Sequence, residues 1–177
     1  MSNATAVLIR EATRSDVSAI HGLIGELADY EKLRDAFVGE ATTLASHLFD
    51  EPRCAHALVA CLGEEVVGFA LYFFNYSTFL CKPGLYLEDL YVQPAHRGRG
   101  IGKAVLGELA RRAAARGCGR MEWSVLDWNA PSIAFYRALG AEALDEWTTF
   151  RLTGESLTRL AASGSDGSAR PGWRRPR

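Results

Sequence analysis

The sequence has no C-x-x-C pair, and its four cysteines, Cys54, Cys61, Cys81 and Cys118, are widely spaced. That spacing excludes a zinc ribbon or a small disulfide scaffold, so reduced thiols in a cytoplasmic protein are expected. The four histidines, His21, His47, His56 and His96, form neither H-x-x-x-H nor H-E-x-x-H, and no metal is expected. No apolar run approaches the roughly 20 residues of a membrane helix. The start, Met1-Ser2-Asn3-Ala4-Thr5, lacks a signal-peptide core, so a soluble chain with no membrane partner is expected. An excess of one charge is also lacking. With 20 Lys+Arg against 21 Asp+Glu the net charge is −1, which argues against a nucleic-acid partner.

That balance is uneven along the chain. Residues 163–177 carry four arginines against one aspartate, so the remainder is mildly acidic and suits a cationic small molecule. A hydrophobic fraction of 48% over 177 residues is enough for one globular domain, expected over 1–162. The Ser-, Gly-, Pro- and Arg-rich stretch 163–177 is expected to be a disordered basic tail.

Hydrophobic periodicity predicts a short strand at 7–9 and a helix capped near Thr13 and Asp16, with Val17, Ile20, Leu23, Ile24 and Leu27 on its buried face. A second short helix, 43–49, stops before Pro52. Strands are expected over 57–62, 66–76 and, after a turn at Lys82-Pro83-Gly84, over 85–92. Ile101, Val105, Leu109 and Ala113 recur every four residues and predict a helix ended by Gly117. A strand over 121–126, a helix over 131–139 and a last strand over 147–152 complete the pattern. Strands alternating with helices imply a mixed α/β sheet with helices packed on it.

Chemistry concentrates first in Arg97-Gly98-Arg99-Gly100-Ile101-Gly102-Lys103, after a strand and opening a helix. Alternating glycines let backbone approach a ligand closely. A helix start presents unpaired N–H groups to a phosphate, with Arg97, Arg99 and Lys103 adding charge. A Walker A loop fails at Arg97 and Ala104, and the dinucleotide spacing G-x-G-x-x-G is missed by one place. Next comes Tyr86-Leu87-Glu88-Asp89-Leu90-Tyr91-Val92, whose adjacent carboxylates point to opposite faces of a regular strand. An alkylamine is protonated at neutral pH, and Glu88 is the candidate base that removes its proton. Third is Asp127-Trp128-Asn129-Ala130-Pro131, a helix start, followed by Tyr136, whose phenol is a candidate acid for a leaving thiolate.

The R-x-x-G-x-G pattern of Arg97 to Gly102 resembles the pyrophosphate loop of the GNAT N-acetyltransferases. With Tyr86-Leu87-Glu88-Asp89 and Trp128-Asn129 followed by Tyr136, the chain resembles their diamine acetyltransferase branch. That resemblance covers roughly residues 7–161. It implies a mixed, mostly antiparallel sheet flanked by helices, with two strands splayed into an acetyl-CoA cleft. It also implies that acetyl-CoA meets Leu90, Tyr91 and Val92 through main chain, has its pyrophosphate cradled by residues 98–103 with Arg97 also at the cofactor, and touches Asn129, Ala130, Pro131 and Tyr136. Tyr136 would be the acid, and Tyr30 and Glu31 would line the amine site with Glu88, Asp89, Glu122 and Ser124. A homodimer is implied as well.

Departures narrow the substrate. Tyr76-Ser77-Thr78-Phe79 stands where polyamine enzymes carry an acid and Pro-Trp, and resembles the thialysine N-acetyltransferases instead. A small primary amine is therefore expected over a long polyamine, attacked directly and not through a cysteine acyl-enzyme. A dinucleotide-dependent oxidoreductase and a non-catalytic CoA-binding module are the alternatives from other classes.

Overall fold

The computed structural model describes residues 6–163, so all but the first residue of the expected tail lies outside the described residues. Strands β1 (Val7–Glu11), β2 (His56–Leu62), β3 (Glu65–Ser77), β4 (Lys82–Val92) and β5 (Met121–Trp123) form one sheet in sequence order. The first three pairings are antiparallel and β4–β5 is parallel. The expected mixed, mostly antiparallel sheet is present.

Contacts divide the chain into two compact units, one ending at Leu126 and the other starting at Asp127. The first holds the sheet with helices α1 (Val17–Tyr30), α2 (Ala41–Phe49) and α3 (Ile101–Ala115). The second holds α4 (Ala130–Ala138) and α5 (Gly154–Ser163).

Strand β2 is buried on both faces. Ala57, Val59 and Cys61 join Phe69 and Tyr91 against Ile20 and Leu23 of α1 and Leu48 of α2. Side chains alternate along a strand, so fully buried Leu58 and Ala60 point the other way. There α3 packs on β1, β2 and β4 and contributes buried Val105 and Leu109. Each such aliphatic side chain contributes roughly 1.5–3 kcal/mol by leaving water. The four-residue spacing of α3 is thus spent on a single buried stripe. Its end is a Schellman motif: Cys118 N–H donates to the Ala113 carbonyl at 2.9 Å and Gly117 N–H to Ala114 at 3.0 Å, with Gly117 at φ 71.

The start of α1 is fixed by Asp16, which accepts from Thr13 N–H (2.7 Å), Thr13 Oγ1 (2.8 Å) and Arg10 (2.7 and 2.9 Å). Hydrogen bonding from the Arg10 guanidinium holds its carboxyl well below the usual range. A 3-10 turn, Arg14–Asp16, precedes the α-helix proper.

Three expectations are corrected. Residues 147–152 form no strand, and Trp147 and Phe150 are exposed. Aromatic and β-branched residues favour a strand only where a ladder neighbour exists, and none pairs there among the described residues. Lys82, Pro83 and Gly84 are not a turn but the first residues of β4, opposite Ser77, Tyr76 and Asn75. Pro is tolerated near a strand start. Gly84 is there for close approach, because a Cβ would collide with Asn75 Oδ1. The chain reverses at 78–81 instead. Finally, the strand expected over 121–126 stops at Trp123.

Candidate active site

Parallel pairing of β4 with β5 lasts three residues, Leu85 with Met121, Tyr86 with Glu122 and Leu87 with Trp123. Beyond Leu87, β4 continues to Val92 beside β3 alone, so one side of its backbone has no ladder partner among the described residues. This is the splay. A chain-like ligand with amide groups can add to such an edge as a strand does.

The splay begins at a β-bulge. Tyr72 faces Leu87 and Leu71 faces Asp89, leaving Glu88 without an opposite residue on β3. Before the bulge, Leu85 and Leu87 lie on the α3 face, opposite Phe74 and Tyr72, which touch Arg116, the C-cap of α3, and Arg112 within it. After it, Asp89 and Tyr91 lie on the α1 face, opposite Leu71 and Phe69 of the α1-side core. The strict alternation expected for Glu88 and Asp89 is therefore suspended. Glu88 is exposed while Asp89 is half-buried on the α1 side.

Asp89 is pushed up to about 6, chiefly by burial and then by the charges of Glu88 and Glu31. Among the described residues no hydrogen bond or ion pair relieves it. Burial also pushes the Glu31 carboxyl up. Three of the expected acids, Glu31, Glu88 and Asp89, are thus electrostatically joined, with no partner cation among the described residues. The fourth expected acid, Glu122, and the nearby α1 residue Glu26 are engaged elsewhere. Glu122 pairs with Arg120 at 2.8 Å, and Glu26 accepts from the Tyr91 hydroxyl at 3.2 Å and from Gln93 Nε2 at 3.0 Å. Ser124 Oγ lies 2.9 Å from the Tyr86 hydroxyl across the mouth of the splay. Tyr86 also packs against Phe73, the rings tilted by 32° with centres 5.2 Å apart.

The glycine loop has the geometry an anion requires. Gly98 (φ 75) and Gly100 (φ 80) are left-handed, and a Cβ at either would meet nothing within 4 Å. Glycine is demanded there by conformation, and the space above it is open. The first intrahelical bond of α3 runs from Ala104 N–H to the Gly100 carbonyl (3.0 Å). The N–H groups of Ile101, Gly102 and Lys103 therefore precede the hydrogen-bonded ladder and face outward at the positive end of the helix. Exposed Lys103 and Arg99, the latter 3.4 Å from His96 Nδ1, flank it. These residues fit a pyrophosphate. Arg97 is placed differently. Its Nε donates to the Val92 carbonyl at 2.8 Å, and its guanidinium lies 5.0 Å from the Tyr30 ring centre and 5.3 Å from that of Tyr91.

In the second unit, Asn129 caps α4, its side chain accepting from Ser132 N–H at 3.3 Å, with Pro131 in the first turn. Ala130 opens the helix, and half-buried Tyr136 lies 5.4 Å, centre to centre, from Phe135.

Sequence reasoning missed the contact of Tyr86 with Ser124, the role of Gln93 and the tie between Arg97 and Tyr30. Gln93 meets Glu26 from 67 positions away, a separation that no local pattern encodes.

The model of the acetyltransferase (GNAT) family matches residues 27–141. The chain belongs to the GNAT family. As a GNAT protein it is an acetyl-CoA-dependent N-acetyltransferase, and its fold accords with that membership. It is 42% identical over 166 residues to a thialysine N-epsilon-acetyltransferase of Bos taurus, covering 88% of this chain and 97% of that one. It is 34% identical over 197 residues to an L-ornithine N5-acetyltransferase of Arabidopsis thaliana, covering 86% of each. Among solved structures, an integron cassette protein from the mobile metagenome of V. cholerae superposes with a TM-score of 0.75 at 28% identity, covering 88% of this chain and 97% of that one. These likenesses lend nothing to a dinucleotide-dependent oxidoreductase or a non-catalytic module. Among the described residues no group of three or more His, Cys, Asp or Glu is placed to hold a metal, and no helix is long and apolar enough to cross a membrane.

Proposed function

We propose that this GNAT enzyme acetylates the primary amine of a small cationic molecule, of the kind represented by thialysine, lysine or ornithine. The observation that carries the reading is the half-buried Asp89 on the α1 face, which has no hydrogen-bond or ion-pair partner among the described residues and feels the charges of Glu88 and Glu31. An ammonium group is the natural counterion of that cluster, and its charge is felt more strongly in a partly desolvated site than in water. The relatives named for thialysine and ornithine act on amines carried by amino acids, in line with this reading.

In the proposed mechanism Asp89, Glu31 and Tyr30 hold the ammonium, with Glu122 and Ser124 at the flank. Glu88 takes its proton, directly or through water. The free amine attacks the thioester carbonyl, and main-chain N–H near Leu90 stabilises the tetrahedral oxyanion. The C–S bond breaks as Tyr136 donates a proton to the departing thiolate, and the second proton lost by the nitrogen restores the Tyr136 hydroxyl, giving the amide and CoA. Leu90, Tyr91 and Val92 hold acetyl-CoA through main chain, with its pyrophosphate on residues 98–103 and its pantetheine beside Asn129, Ala130 and Pro131. The reading takes 1–162 as one acetyltransferase domain, in keeping with a family match that spans both units. It extends to a cytoplasmic homodimer, for which the exposed Trp147 and Phe150 offer apolar surface.

An amine panel with acetyl-CoA and thiol detection tests the substrate. Turnover is expected with thialysine, lysine or ornithine and little with spermine. Thiol release with no amine offered, or with long polyamines only, overturns the reading.

A further inference from the structure

We propose that Arg97 is a positioning residue and not a phosphate ligand: it fastens the acetyl-CoA loop to the last turn of α1, so that filling the loop orders the amine-facing Glu31. The proposal rests on the acetyl-CoA reading of that loop. Strand β4 ends at Val92, and the chain then passes to α3 on the opposite face of the sheet from α1. Arg97 reaches back to the α1 side, where its guanidinium sits against the rings of Tyr30 on α1 and Tyr91 on β4. Its Nε is committed to the Val92 carbonyl. One turn earlier on the same helix, Glu26 accepts from both Tyr91 and Gln93. The end of β4, the start of the loop and the last turn of α1 therefore form one polar and aromatic cluster around a single cation. Tyr30 is followed directly by Glu31, whose charge acts on Asp89.

This arrangement needs a planar guanidinium with a directed N–H, which lysine cannot reproduce although it keeps the charge. A residue that served only as a phosphate counterion would tolerate that exchange far better. The two roles therefore separate cleanly.

The test compares the full chain with Arg97→Lys and Arg97→Gln, using CoA itself as the probe. CoA affinity is measured by calorimetry at low and moderate salt, and backbone hydrogen exchange is followed at residues 28–33 with and without CoA. Both variants are expected to weaken CoA binding alike, by about fivefold or more, with the salt dependence of the wild type. CoA should slow exchange at 28–33 in the wild type and not in either variant. Glu26→Gln, which alters no loop residue, should reduce that protection too, and it serves if the Arg97 variants fail to fold. Wild-type affinity in Arg97→Lys, with loss and a flattened salt dependence in Arg97→Gln, would overturn the proposal in favour of direct phosphate contact. Unaltered exchange at 28–33 on binding CoA would overturn the link to α1. None of these readouts needs an amine. A protein that binds CoA but acetylates nothing would refute the substrate reading and leave this test intact.

Discussion

The acidic bulge opens the last stretch of β4, residues 88–92, the glycine loop follows that stretch after a 3-10 turn at Pro94–His96, and the two work by opposite means. The loop acts through backbone: two left-handed glycines and three outward N–H groups, with side chains absent where the ligand must approach. The bulge acts through side chains where the backbone has slipped by one residue, bringing together three carboxylates that have no partner cation among the described residues. Backbone sites are broken by adding atoms and side-chain sites by changing charge, so the two should respond to different substitutions.

The largest effect is expected outside both, at the acid that completes the proposed reaction. Tyr136→Phe should lower kcat by roughly 10²-fold or more with CoA affinity nearly unchanged; wild-type turnover would return the ring to a packing role. Gly100→Val comes next. A branched residue at φ 80 costs roughly 1–3 kcal/mol of strain and fills the open space, so CoA should bind about 10- to 100-fold more weakly. Equal affinity in a folded variant would remove the loop from the site.

At the bulge, two substitutions should divide kcat from KM. Glu88→Gln keeps shape and loses basicity, so kcat/KM should fall most near neutral pH and recover in part as the amine deprotonates in alkali. A uniform loss at every pH would make Glu88 structural. Asp89 stands at about 6 against an ordinary 3.8, so the wild-type KM for the amine should rise as pH falls through 6. Asp89→Asn should raise KM and flatten that dependence. The same shift has a stability sign. Between pH 4 and 6 the folded protein binds more protons than the unfolded one, so ionising Asp89 weakens the fold as pH rises. Asp89→Asn should therefore raise Tm near neutral pH and alter it little near pH 4. The smallest effect is expected for Glu122→Gln. Arg120 already neutralises Glu122 at 2.8 Å, and an ion pair so exposed is worth about 0–1 kcal/mol, so KM should move less than about threefold.

The difference between the two regions also governs what the sequence made legible. The loop could be read because its requirement is local: glycine where φ is positive, a basic side chain nearby and a helix to follow. The stripe of α3 and its closing Gly117 were legible for the same reason. Glu88 and Asp89 were visible as an awkward pair, but a bulge is a property of two strands, and neither β3 nor β4 announces it separately. The segment 147–152 shows the converse. Its residues favour a strand, yet propensity without a neighbouring edge produces none among the described residues. Arg97 was identified by position, but its contacts with Tyr30 and Tyr91 were not legible, because those rings approach it only after folding.

One consequence of the bulge concerns what the fold can spare. Leu87 and Asp89 alternate faces, and pair with consecutive residues of β3, as though Glu88 did not exist. Glu88 is supernumerary to the ladder. A chain lacking that one residue would keep every other β4 side chain on its present face and close into a plain hairpin, sound as a scaffold. The one β4 residue that the ladder with β3 leaves unpaired is thus the one proposed to take the proton.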